Sequence, residues 1–282
     1  MQQYSPSGFN VLPPVIKNLL IINGIFFLAT VVMEERFHID LTTILGLHYF
    51  FSSDFRPYQV ITYMFMHGSL AHIFFDMFAL WMFGNVLENI WGAKRFLIYY
   101  LACGIGAVLL HYVVHYFEIQ PVLQALNDYI LNPSHDKFHS LIESKTIQLT
   151  PGMIQSLDPI YSDFKLQIAS GEMNKALETS VDFVIEYKKQ FLNEPVVVGA
   201  SGSVYGLLLA FGMLFPNTLI YMYFFFPIKA KWFVVVYGLI ELFGAVNTTD
   251  GDNIAHYAHL GGMLLGFILI KIWNRKRNQF YE

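Results

Sequence analysis

Three apolar stretches of this chain carry side chains able to do acyl-transfer chemistry. The first, VVVGASGSVYGLLLAFGMLF at residues 196–215, is apolar enough for lipid yet sets Ser201 and Ser203 in one turn. A serine nucleophile needs an exposed Oγ, a base, and N–H donors for the oxyanion. Gly199 and Gly202 on either side of Ser201 let the backbone turn sharply. A helix beginning there would add unpaired N–H groups and a favourable dipole. Small residues are also common where membrane helices pack, so this turn alone leaves packing and chemistry both open.

The second stretch, AHLGGMLLG at residues 258–266, places His259 ahead of Gly262 and Gly266 at a spacing that permits close helix approach. If the neighbouring helix is the one that begins near Ser201, His259 comes within hydrogen-bond reach of that serine. A lone histidine in a span otherwise reads as a satisfied interhelical contact. The third, HGSLAHIFFDMFALWMFG from residue 67, puts His72 and Asp76 at i and i+4 on one helical face, with His67 where the segment begins. Ionisable groups inside spans are costly and therefore candidates for function. His256, one turn before His259, reads as a water-facing residue near the mouth of the site, and Ser203 as a neighbour of the nucleophile.

The elements that must carry these residues are membrane helices. The 282 residues are 55% hydrophobic and only 13% charged, against about 25% charged in soluble domains. Six apolar segments have spanning character, at about 18–33, 58–86 (or from 69), 96–117, 196–215, 232–246 and 254–273. Lys17, Lys94, Arg95, Lys229, Lys231, Lys271, Arg275, Lys276 and Arg277 fall on one side if the segments alternate, while NTTDGDN and the connection after the first segment are poor in base. Both termini are therefore expected in the cytoplasm. With segments four and six parallel and segment two entering from the same side, Ser201, His259 and His72 share one depth near the extracytoplasmic surface. Residues 118–194 are polar, with 11 acids against 6 bases and apolar positions at helical spacing. They read as a helical extracytoplasmic insertion. The single cysteine, Cys103, excludes an intrachain disulfide and a cysteine-based metal site. The net charge of −4 gives no sign of a nucleic-acid partner. The first residues lack the basic start and small-residue cleavage site of a secretory signal, so the first segment is expected to stay as an anchor.

HGSLAHIFFD, GASGSVYG and AHLGGMLLG, in this order on the second, fourth and sixth of six spans, resemble the rhomboid intramembrane serine proteases. The resemblance covers roughly residues 14–116 and 196–274 and leaves out the insertion. It implies an all-α bundle of six transmembrane helices in two parts, 1–117 and 196–282, and the residue pattern of 118–195 adds the extracytoplasmic helical insertion between them. It implies Ser201 as nucleophile and His259 as general base and acid, a dyad without a third carboxylate. Tyr205 matches the aromatic that stacks on the histidine, and His72 an oxyanion-hole donor beside the Ser201 N–H. FRPYQ around Arg56 resembles the end of the loop between spans one and two.

One position departs from the family pattern. Asp76 stands where these proteins usually carry Asn. An amide or a protonated carboxyl can donate to an oxyanion, whereas an ionised carboxylate repels it. Alternatively Asp76 points away and orients His72. The expected function is cleavage of transmembrane protein substrates in the inner membrane of a bacterium, with lipid as the other partner and neither cofactor nor metal. The alternative is a catalytically impaired relative that binds transmembrane helices without cutting them. A metal site or transporter built from His67, His72, Asp76, His256 and His259 is the third reading, and it leaves the GASG turn unexplained.

Overall fold

A computed structural model of the chain describes residues 10–194, 196–222, 226–247 and 253–278. Residues 1–9 and the connection 248–252, on which the anchor and orientation expectations partly rest, lie outside the described residues, as do the side chains of Arg275, Lys276 and Arg277. The described residues fall into two compact units. One lies within Met1–Leu47, Arg56–Val113 and Val196–Glu282, and the other is His48–Phe55 with Val114–Pro195.

The first unit is mostly helical, the form in which an apolar segment satisfies its own backbone polar groups. Helix α1, Pro14–Phe37, starts on a proline, whose missing N–H costs nothing there, and stops at His38, which adopts a left-handed conformation with φ 55°. The Glu88 carboxylate, 3% exposed, accepts the α1 N–H groups of Val15 and Ile16 at 2.9 Å each. It thereby caps the positive end of the helix from another element. Helix α2, Leu41–Leu45, is capped by Asp40, and α3, Gln59–Thr62, passes directly into a 3₁₀ turn.

Helix α4, Leu70–Ala79, begins at Ser69, whose hydroxyl accepts the His72 N–H at 3.1 Å. It passes through a π-helical turn, Leu80–Gly84, into α5, Asn85–Trp91, where Gly92 at φ 78° breaks it. The second expected segment is thus one continuous helical rod, Leu70–Trp91, preceded by separate short turns, which agrees with the start expected at residue 69 and not with the one at 58. Helix α6, Ala93–Leu131, runs well past the boundary expected near residue 117.

In the second unit, α7 (His135–Glu143), α8 (Pro151–Ala169) and α9 (Met173–Asn193) enclose a core that includes Leu126, Tyr129, Phe138, Met153, Phe183 and Tyr187. Ser134 and Thr150 cap α7 and α8. The unit therefore has an apolar interior of its own, and it extends beyond 118–195 to take in residues 48–55 and 114–117.

Helix α10, Ser201–Leu214, begins five residues later than the apolar run suggests. It is followed by an antiparallel hairpin, β1 (Leu219–Met222) and β2 (Phe226–Lys229), in place of a plain connection. Helices α11, Ala230–Asn247, and α12, Asn253–Asn278, complete the chain's described elements. Among the described residues, four helical stretches are long and apolar enough to cross a bilayer: Pro14–Phe37, Leu70–Trp91, Ala93–Leu131 and Ala230–Asn247. Helix α10 has 14 residues and is shorter. Helix α12 has 26 residues, and the side chains of its first three and last four lie outside the described ones.

Helices α6, α10 and α12 meet through small residues. A Cβ at Gly261 would come 2.5 Å from the Gly106 carbonyl oxygen, and one at Gly262 would lie 2.7 Å from the Gly202 carbonyl carbon. Cys103 and Tyr99 of α6 fill the space beside Gly206 and Gly266. Backbones this close leave no room for a methyl group, which is how α12 reaches the start of α10.

Candidate active site

The site forms where residues 196–200 lead into α10. Four hydrogen bonds fix this lead-in: Val197 exchanges two N–H···O bonds of 2.9 Å with Leu47, Gly199 donates to the Tyr63 carbonyl at 3.0 Å, and Ala200 donates to Asp76 Oδ2 at 3.1 Å. Gly199 takes φ 121°, a conformation strained for any residue with a Cβ. A Cβ there would also come 2.7 Å from His72 Nε2. The first intrahelical bond of α10 runs from the Val204 N–H to the Ala200 carbonyl. The N–H groups of Ser201, Gly202 and Ser203 precede it, in the turn where helix donors point outward.

Ser201 Oγ lies 2.8 Å from His259 Nε2. The Tyr205 ring stacks on the His259 ring, with centroids 4.1 Å apart and planes 12° apart. Spacing of four residues on α10 puts Ser201 and Tyr205 on one face, so a single face of that helix both meets and holds the imidazole. Ser203 turns the other way and donates to the Tyr100 carbonyl at 2.7 Å, inside the helix contact.

The other ring nitrogen of His259 has a partner that the motif reading overlooked. Glu241, in the middle of α11, has a nearly enclosed side chain, and its Oε2 lies 2.9 Å from His259 Nδ1 and 2.6 Å from His256 Nδ1. The Tyr205 hydroxyl donates to its Oε1. If Glu241 is ionised it only accepts, and both Nδ1 atoms then carry hydrogen. His259 Nε2 is then left as the acceptor facing the serine hydroxyl. His256 is thus engaged with Glu241 rather than simply turned to water. Its ring lies against Gly244, where a Cβ would meet it at 2.5 Å. The signal for Glu241 was present in the sequence as a lone acid within YGLIELFGAV.

The third group gathers around Asp76. Its Oδ2 accepts from the Ala200 N–H and lies 3.3 Å from His67 Nε2 and 3.5 Å from His72 Nε2. Asp76 thus serves as an acceptor that holds the lead-in to α10. His67 is buried, with its ring edge-on to His72 at 5.0 Å. His72 is the more open of the two, its side chain 32% exposed, and its Nε2 faces the Gly199 α-carbon on the Ser201 side of the loop.

Two sets of three side chains, His67–His72–Asp76 and Glu241–His256–His259, each bring metal-capable atoms within 4.8 Å of one another. The separations of 2.6 and 2.9 Å in the second are those of hydrogen bonds. In the first, Asp76 Oδ2 is also engaged by a backbone N–H.

Comparison with known proteins adds the family context. The sequence model of a family described as Rhomboid domain matches residues 54–119 and 173–276. An uncharacterized mitochondrial rhomboid protein of Schizosaccharomyces pombe is 24% identical over 228 residues, 78% of this chain and 53% of that protein. The rhomboid protease GluP of Bacillus subtilis is 36% identical over 56 residues, 20% of this chain and 11% of that protein. The chain therefore spans about half the length of the first relative and about a tenth of the second.

Proposed function

Since the chain belongs to the rhomboid family, we propose that it is an intramembrane serine endopeptidase that cleaves transmembrane protein substrates with Ser201 and His259. The observation that carries this reading is the 2.8 Å separation of Ser201 Oγ and His259 Nε2 in the first turn of a helix. In the proposed reaction Ser201 Oγ attacks the scissile carbonyl carbon while its proton passes to His259 Nε2. The oxyanion takes hydrogen bonds from the Ser201 N–H and from His72 Nε2. The C–N bond then breaks, and the Nε2 proton goes to the leaving amine. Water attacks the acyl-enzyme, gives a proton to Nε2, and releases the carboxylic acid as that proton returns to Oγ. Tyr205 keeps the imidazole in the plane this transfer needs.

The proposed arrangement has six spans: α1, the Leu70–Trp91 rod, the first part of α6, α10, α11 and α12. Their alternation places both termini in the cytoplasm and Ser201 near the opposite surface. The short α10 is supported by its position, since irregular backbone is tolerated at membrane depth where it lines a cavity. A bacterial inner membrane is the proposed setting.

Ser201→Ala and His259→Ala should each abolish cleavage of a transmembrane reporter in detergent or liposomes. Cleavage retained by both variants would overturn the assignment. A fluorophosphonate probe separates an enzyme from an impaired, substrate-binding relative: the enzyme labels, and Ser201→Ala removes the label.

A further inference from the structure

We infer that Glu241 is a positioning residue that completes a Ser201–His259–Glu241 triad, in place of the two-residue dyad implied by family resemblance. The inference rests on the proposed protease activity and deepens it. Its first support is cost. A carboxylate in mid-helix within an apolar span is expensive unless its oxygens are fully engaged. Here both are: Oε1 takes the Tyr205 hydroxyl, and Oε2 takes the Nδ1–H groups of His259 and His256. The second support is convergence. The three donors come from two other helices, Tyr205 from α10 and the two histidines from α12. Glu241 has none of these donors within its own helix, so no local feature of α11 accounts for it.

The consequence is chemical. With Nδ1–H fixed on the carboxylate, His259 presents Nε2 as the base toward Ser201 Oγ, 2.8 Å away. When the serine proton arrives, the imidazolium forms with its new charge beside the Glu241 carboxylate, which stays ionised throughout. The second histidine and the tyrosine hold that carboxylate in place rather than taking the proton. The chain order is nucleophile, acid, base, an order also used by serine hydrolases of an unrelated α/β fold.

A bland alternative is that Glu241 only ties α10, α11 and α12 together. Glu241→Gln separates the two. It keeps the length, an oxygen for a histidine N–H and an NH₂ group for the Tyr205 oxygen, but it removes the charge. In the full-length protein the triad expects kcat on a transmembrane reporter to fall at least about 10²-fold with KM within about twofold. A kcat within twofold of wild type would overturn the inference. Wild type and Ser201→Ala are measured alongside. If wild type itself neither cleaves nor takes a fluorophosphonate label, the protease reading fails; if wild type is active and Glu241→Gln matches it, only the triad fails. Should Glu241→Gln not fold, ¹⁵N-histidine spectra of the wild-type protein decide. The His259 signals must show Nδ1 as the protonated nitrogen, and a protonated Nε2 with a bare Nδ1 would overturn the triad.

Discussion

At the scale of single residues, Asp76 is the position where chemical type and geometry say different things. As a stand-in for an amide donor, a carboxylate looks like a defect in the oxyanion hole. Its Oδ2 instead accepts the Ala200 N–H at 3.1 Å, one residue before the proposed nucleophile. What Asp76 does there is hold the backbone that presents Ser201. Replacing it by a side chain of similar size without an acceptor should leave that buried N–H unsatisfied, at about 1–3 kcal/mol. Asp76→Leu is therefore expected to lower the denaturation midpoint and the rate of Ser201 labelling together. Asp76→Asn, which keeps a carbonyl oxygen for Ala200, should keep the midpoint near wild type. Equal midpoints for Leu and Asn would show that the Ala200 bond contributes nothing.

At the scale of elements, the site depends on how closely α12 lies on α10. Gly262 is one turn from His259, and a Cβ there would run into the Gly202 carbonyl. Gly262→Ala must push the two helices apart and draw His259 Nε2 away from Ser201 Oγ. A misplacement of about 1 Å at reacting atoms can cost on the order of 10² in rate. Fluorophosphonate labelling of Gly262→Ala should slow by about that factor while the protein stays folded. Gly24→Ala in α1 is the control, because a Cβ there meets nothing within 4 Å. If both alanines label at the wild-type rate, the glycine contact is not what sets the Ser201–His259 distance.

At the scale of the molecule, the described residues contain two interiors of different kinds. In the first unit, long apolar side chains such as Phe74, Phe75, Leu239 and Phe243 face outward, while close-packed glycines and polar groups such as Asp76 and Glu241 lie inside beside Phe96, Tyr99 and Tyr100. So much outward apolar surface suits a lipid solvent, where it has no cost. In the second unit a cluster of aromatic residues lies inside: Phe183 is 3% exposed and meets the Phe138 ring edge-on at 5.9 Å. Tyr187 accepts the Gln148 N–H at 3.0 Å, and Tyr129 pairs with Ser180 at 2.5 Å. This is the pattern of a water-solvated core. Phe183→Ala should cost that core about 3–5 kcal/mol. Hydrogen exchange in α7, α8 and α9 should accelerate accordingly, and unchanged protection in these helices would show that Phe183 is not central to the core.

Periodicity, composition and short motifs determined much of this protein before any coordinate was known. Apolar runs disclosed membrane helices because a span needs a long uninterrupted stretch, and that signal is local. GASGS and AHLGG contained the serine and the histidine that lie 2.8 Å apart, along with the glycines that let their helices meet. Only the tertiary structure decided the rest, because each missing item is a contact between distant elements. Glu241 has its histidine and tyrosine partners on two other helices, so nothing near it in the chain identifies those partners. Asp76 has its acceptor role through Ala200, 124 residues away. The hairpin Leu219–Lys229 was concealed by an apolar strand pattern that also suits a helix. An isolated carboxylate in an apolar window shows only that something must engage it. Which groups do so is settled when the helices pack.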